Sequence, residues 1–235
     1  MTDELTLALD TASAMVSVAV HDGTGVVAER SGERSGKHAE QLAPLIEEVL
    51  TEAGATRADL TGIVTGVGPG PFTGLRVGLV TATVLGYALD LPVRGVCSLD
   101  AVALGAVQHG ATTPFIAATD ARRREVYWAR YEVTKIDGVL VPVREGLPDV
   151  SAPAELELDG LPAAGRGADL YPDIFGTPLE GPLDPSAGAL ASLAHLDLAQ
   201  PDPAQPNPRF LLDPEPLYLR RPDAQANITR KRVLK

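Results

Sequence analysis

A single cysteine, Cys97, stands in the 235 residues, so no disulfide can close within this chain. It lies in the apolar run of residues 93–99, where a buried, unreactive thiol is the expected form. Basic residues are scarce as well: 20 Lys and Arg against 31 Asp and Glu leave a net charge of −11, which argues against a nucleic-acid binder working through its overall field. No apolar run reaches membrane-spanning length, and the start Met1-Thr2-Asp3-Glu4 is acidic where a signal peptide is basic. A cytoplasmic protein without a membrane contact is the expectation. Metal spacing is missing too, because His38 has Leu42 one helical turn on and His21, His109 and His195 are scattered. No Gly-x-Ser-x-Gly elbow supports a hydrolytic triad.

The hydrophobic share of 45% is enough for one good core or two small ones. Residues 5–10 and 15–21 alternate as strands of a hairpin, and residues 26–31 form a third strand after the turn Asp22-Gly23-Thr24-Gly25. Leu42, Leu45, Ile46, Val49 and Leu50 recur at helical spacing over residues 38–53, with Pro44 marking a kink or the first turn. A strand over 62–67, a helix over 73–89, a strand over 93–97 and a helix over 98–108 with Ser98 as N-cap complete an α/β unit.

The loop Gly68-Pro69-Gly70-Pro71-Phe72-Thr73-Gly74-Leu75-Arg76-Val77-Gly78 joins strand to helix, the place where backbone N–H groups can hold an anion. It fails the named phosphate motifs, since Thr73 stands where a P-loop needs Gly-Lys-Ser/Thr and the glycines miss the dinucleotide spacing. The helix it launches is apolar around most of its circumference, which predicts burial on both sides, with small residues at Gly74, Gly78, Ala82 and Gly86. That row permits close approach of a neighbouring helix or of another protein.

After residue 112 the pattern restarts. Strands over 115–119 and 125–133 flank Asp120 as the first hairpin flanks Asp10, and aligning the two aspartates places Val16 on Val126. A duplicated strand–Asp turn–strand unit predicts two lobes. Fifteen of the 20 prolines lie at or after Pro142, so the second lobe is expected to be smaller, with one short helix over 187–199 and an extended close through residues 216–220. The expected division is 1–112, 113–220 and a tail, 221–235. Residues 220–235 carry six cations against Asp223, while the chain before Arg220 has 14 basic and 30 acidic residues; the tail is a solvated end or an arm for RNA or a partner.

Asp10 and Thr11 are the candidates for a metal-bound phosphate, although Asp10-Thr11-Ala12-Ser13 serves an Asx-type turn equally well. In the matching turn, Arg122, Arg123 and Arg124 could take an anion directly or pair with acidic side chains.

Five segments together resemble the TsaB (YeaZ) family: residues 7–13, 37–44, 68–78, 120–127 and 218–221, spread over nearly the whole chain. The resemblance implies an actin-like ASKHA (ribonuclease H-like) duplicated two-lobe α/β fold with a reduced second lobe. It implies a non-catalytic activating subunit in the formation of N6-threonylcarbamoyladenosine beside the tRNA anticodon. The implied partners are a TsaD-type transferase, a TsaE-type ATPase reached through the complex, a second copy of the chain when alone, and tRNA only through the complex. No cofactor is required of this chain, and ATP or ADP would belong to the complex. The implied partner interface maps to Leu42, Ile46, Val49, Gly74, Leu75, Gly78, Leu79, Ala82, Leu85 and Gly86. Two other readings stay open: an actin-like phosphotransferase or ATPase using Asp10 and Thr11, and an RNA-binding module resting on the basic tail.

Overall fold

A computed structural model describes residues 4–34, 37–136, 138–199 and 209–220. The first sheet contains β1 (Thr6–Asp10), β2 (Ser17–His21), β3 (Val26–Ser31), β4 (Gly62–Gly66), β5 (Val93–Val96) and β10 (Leu211–Leu212), in the order β10-β5-β4-β1-β2-β3. β1 to β3 form an antiparallel meander, while β1, β4 and β5 run parallel. The parallel connections are made by α2 (Phe72–Leu89), which follows β4, and by α1 (His38–Glu52), which follows β3. The sheet is covered on both sides, so β1, β2 and β4 are buried at every position.

Side-chain size decides which helix lies on which face. Leu7, Leu9, Val18, Val20 and Ile63 pack with Leu42, Ile46 and Val49 of α1. Their alternate neighbours Ala8, Ala19 and Val64 meet the alanine-rich α6 (Ala187–Ala199) together with α3 (Ser98–Gln108). Small residues on both partners allow α6 to sit low on the sheet, and a stacked pair, His21 and His195 (4.3 Å between centroids), closes one end. Burial and the neighbouring His195 hold the His21 imidazole down at about 4.

The second sheet repeats the plan with β6 (Phe115–Asp120), β7 (Val126–Ile136), β8 (Val139–Ser151) and β9 (Ala163–Ala164), in the order β8-β7-β6-β9. An antiparallel meander again carries a parallel strand beside its first member. The duplication read from Asp10 and Asp120 is therefore a duplication of topology, with four strands against six. Short helices α4 (Arg166–Leu170) and α5 (Pro172–Phe175) follow β9. β8 is an element that sequence periodicity did not reveal, because Pro142 and Pro148 interrupt it. It is tolerated as an edge strand, where a missing N–H can face away from β7.

The expected boundary at 113–220 is corrected by the fold. α6 and β10 return to the first sheet, so the second unit ends before residue 187, and the last described segment crosses between the two: Leu217 N donates to Val67 O (2.8 Å). The tail 221–235 and the proline-rich stretch 201–208 lie outside the described residues. Asp100 on α3 ties the units together, accepting from Tyr131 Oη and Arg144 Nη1, each at 2.7 Å, with all three groups buried or nearly so.

Candidate functional site: two aspartate turns and the outer face of α2

The turn after β1 is closed by its own chain. Asp10 is 1% exposed; its Oδ1 accepts from Ala12 N (2.8 Å) and its Oδ2 from Ser98 Oγ (2.6 Å), which in turn accepts from Gly68 N (3.2 Å). Ser98 thus spends its hydroxyl on Asp10 instead of capping α3, where Cys97 holds the N-cap position without a side-chain bond. Thr11 Oγ1 donates to Gly74 O (2.8 Å) and accepts from Gly78 N (2.9 Å), fastening α2 to β1. Gly70 lies against Ala12, whose Cα would be 2.9 Å from a Cβ at that position. His38 Nε2 is bonded to Ser13 O (2.7 Å), so this histidine is a structural tie. Asp10 and Thr11, the phosphate candidates, present no open polar group, and the glycine loop presses onto the turn where a phosphate cradle would need space.

Burial pushes the Asp10 carboxyl up to about 6, against the lowering effect of its bonds to Ser98 and Ala12. A folded pKa above the unfolded value favours the fold below pH 3.8, and this advantage disappears as pH rises through 6. Asp10→Asn is therefore expected to stabilise the protein at pH 8 by about 1–3 kcal/mol, since each pKa unit is worth about 1.4 kcal/mol. The gain should vanish near pH 4, and urea unfolding at both pH values checks it.

The second turn has the same local closure: Arg122 N donates to Asp120 Oδ1 (2.8 Å), as Ala12 N does to Asp10. Arg122, Arg123 and Arg124 project from it, exposed. Cys97 is fully buried with its thiol pushed up to about 12 by burial, which fits the inert reading. Among the described residues no three His, Cys, Asp or Glu side chains form a metal-ligating group.

The partner-interface residues need correction. Leu42, Ile46 and Val49 are buried in the chain's own core. Gly74, Leu75, Gly78, Leu79, Ala82 and Gly86 are the inward face of α2, and Leu85 packs against the same core. The small-residue row lets α2 approach its own sheet: a Cβ on Gly78 would stand 2.5 Å from Thr11 Oγ1 and 3.2 Å from Leu9. The opposite face is open, contrary to the expectation of a helix buried on both sides. Val80 (58% exposed), Val84 (59%) and Tyr87 (91%) form an apolar stripe at i, i+4 and i+7 spacing. At the start of the helix, Phe72 stacks on Tyr218 (5.1 Å) and Arg76 lies over its ring (4.6 Å). By length and composition this helix is long and apolar enough to cross a membrane, contrary to the expectation that no segment reaches that length, but its glycine face is packed on the sheet.

Two sheets built from one repeated strand order, each with an aspartate turn after its first strand, define an actin-like, ASKHA-type protein with a reduced second lobe. The family model "TsaD: tRNA N6-adenosine threonylcarbamoyltransferase" matches residues 13–142. A tRNA threonylcarbamoyladenosine biosynthesis protein TsaB from Haemophilus influenzae is 32% identical over 224 residues, 91% of this chain and 92% of its own length. An uncharacterized protein of Mycobacterium tuberculosis is 42% identical over 93% of both chains. The solved YeaZ from Pseudomonas aeruginosa superposes with a TM-score of 0.76 at 28% identity, covering 92% of this chain and all of that one. The chain belongs to the TsaB (YeaZ) family, whose named members serve tRNA threonylcarbamoyladenosine biosynthesis.

Proposed function

We propose that this chain is a non-catalytic, activating subunit of the assembly that forms N6-threonylcarbamoyladenosine on tRNA, and that it binds a TsaD-type transferase through the outer face of α2. The single observation that carries this reading is the uncovered Val80, Val84 and Tyr87 stripe on a helix whose other face is locked to the central strand. An apolar stripe on a rigid helix suits a partner helix laid along it, and burying two valines and a tyrosine supplies the anchors of an interface. When the transferase is absent, the same stripe pairs two copies of the chain. A TsaE-type ATPase and tRNA are reached through the complex, which works in the cytoplasm, and any ATP or ADP belongs to the complex rather than to the sealed Asp10 turn.

A non-catalytic role also accounts for the interior. The solved relatives include one described as similar to a peptidase, yet in this chain Cys97 is buried and Ser98 is bonded to Asp10 and Gly68, with no histidine partner among the described residues. Val80→Asp combined with Val84→Asp is expected to weaken transferase binding at least about 100-fold, roughly 3 kcal/mol, while changing the stability of the free chain by less than about 0.5 kcal/mol. Co-purification of the unchanged complex from the double variant would sink the interface.

A further inference from the structure

Among its 18 residues α2 holds one charged side chain, Arg76, and Asp90 caps its C-terminal end. Both are exposed, as is Thr83 midway between them. Their separation of 14 positions is just under four helical turns, so Arg76, Thr83 and Asp90 lie along the same outward face as Val80, Val84 and Tyr87. The Arg76 guanidinium rests over the Phe72 ring (4.6 Å), which is braced in turn by Tyr218 (5.1 Å), so its direction is set before anything binds. Asp90 stands in left-handed backbone (φ 55°), a position that glycine commonly fills, at the helix end where the macrodipole disfavours an anion. Neither charge has a salt bridge among the described residues. The carboxylate thus weakens the helix end it sits on, and the guanidinium lacks a counter-ion.

Opposite charges at the two ends of an apolar stripe make this face complementary to itself. When two α2 helices lie antiparallel about a twofold axis beside Thr83, each Arg76 meets Asp90 of the other copy, and the valines and tyrosines close between the two ion pairs. A shallow crossing of about 20° keeps both ends within reach over the roughly 21 Å from Arg76 to Asp90. A parallel arrangement would set Arg76 on Arg76 and Asp90 on Asp90, and repulsion rejects it. The net charge of −11 opposes any meeting of two copies, so the attraction has to come from the contact itself.

We propose that α2 pairs with α2 of a second copy in this antiparallel register, and that the two Arg76–Asp90 pairs select it. This rests on the self-pairing reading above and adds the residues that set its geometry. The test is sedimentation equilibrium of the full chain alone, at low and at high salt. The parent is expected to dimerise, and Arg76→Asp or Asp90→Arg alone should weaken the dimer at least about tenfold by setting like charges opposite each other. Both substitutions in one chain should recover most of the parent's affinity. So should an equimolar mixture of the two single variants, in which both pairs re-form between unlike chains. High salt should narrow the gap between the parent and the single variants. These substitutions change exposed side chains and should leave the circular dichroism spectrum as it is in the parent. A parent that stays monomeric, single variants that dimerise as the parent does, or a swapped chain no stronger than the single variants would each overturn the proposal. Val80→Asp with Val84→Asp should abolish the dimer as well, and its effect on transferase binding is read separately. Retained transferase binding in that variant would count against the proposed function and leave the charge register standing.

Discussion

Gly78→Leu is expected to unfold this protein or cost it about 3–5 kcal/mol, a large part of a typical stability of about 5–15 kcal/mol. Two effects add. A Cβ at residue 78 would stand 2.5 Å from Thr11 Oγ1, just past the end of the central strand, and 3.2 Å from Leu9 Cδ1 within it, in a sheet packed on both sides. Overpacking such a site costs about 1–3 kcal/mol. Displacing Thr11 also breaks the bonds from Gly78 N and to Gly74 O, leaving buried polar groups unpaired at about 1–3 kcal/mol more. Replacing a helical glycine returns only about 1 kcal/mol through propensity, so the steric effect wins. Urea unfolding followed by circular dichroism measures the loss, and a Gly78→Leu protein as stable as the parent would show that α2 is not seated on Thr11. The contrast with the Val80→Asp, Val84→Asp variant separates the two faces of one helix: one should fail by unfolding, the other by losing its partner.

Arg144→Met should cost about 3–5 kcal/mol for a different reason, the stranding of a buried carboxylate. Asp100 is 2% exposed at its side chain and Arg144 13%, and Oδ1 of Asp100 receives both Arg144 Nη1 and Tyr131 Oη. Burial pushes Asp100 up, and the Arg144 charge is the main influence pulling it back. Without that charge the folded pKa rises further above the unfolded one. The stabilising contribution of a raised carboxyl is present below its unfolded pKa and lost as pH rises through the folded value, so the variant should be weaker at pH 8 than at pH 5. Adding Asp100→Asn should restore much of the loss and remove its pH dependence. Equal stability of Arg144→Met and the parent at pH 8 would mean that Asp100 does not depend on its partner. Because these residues join α3 to β7 and β8, the damage should appear as looser contact between the two units, seen as faster amide exchange along α3.

Much of the secondary structure was legible because its causes are local. Alternation in residues 5–10 and 15–21, turn residues Asp22 and Gly23, and the 3.6-residue spacing of Leu42, Ile46 and Val49 gave the first unit to within a residue or two at most ends. The restart at Asp120 was visible as a pattern, and topology made it a true repeat. β8 was hidden, because prolines that break a central strand are harmless at an edge and edge position is not written in the residues around them. The assignment of α6 and β10 to the second lobe failed for a related reason: proline content bounds helix length and says nothing about which sheet a helix returns to.

The α2 helix shows where the division falls. Its sequence by itself determined that residues 73–89 are helical, that one row is small and that the other rows are apolar, since these depend on neighbours three and four positions away. Which row is inside could not be read there, because a glycine row suits a chain's own sheet as well as a foreign helix. Only the tertiary structure decided it. Leu9 of the central strand and Thr11 in the turn directly after it occupy the space that side chains at Gly74 and Gly78 would need, and this turns Val80, Val84 and Tyr87 outward. The same holds for Asp10 and Thr11: the sequence supplies a carboxylate and a hydroxyl after a strand, but Ser98, Gly74 and Gly78, brought from 63 to 88 residues away, make them internal fastenings.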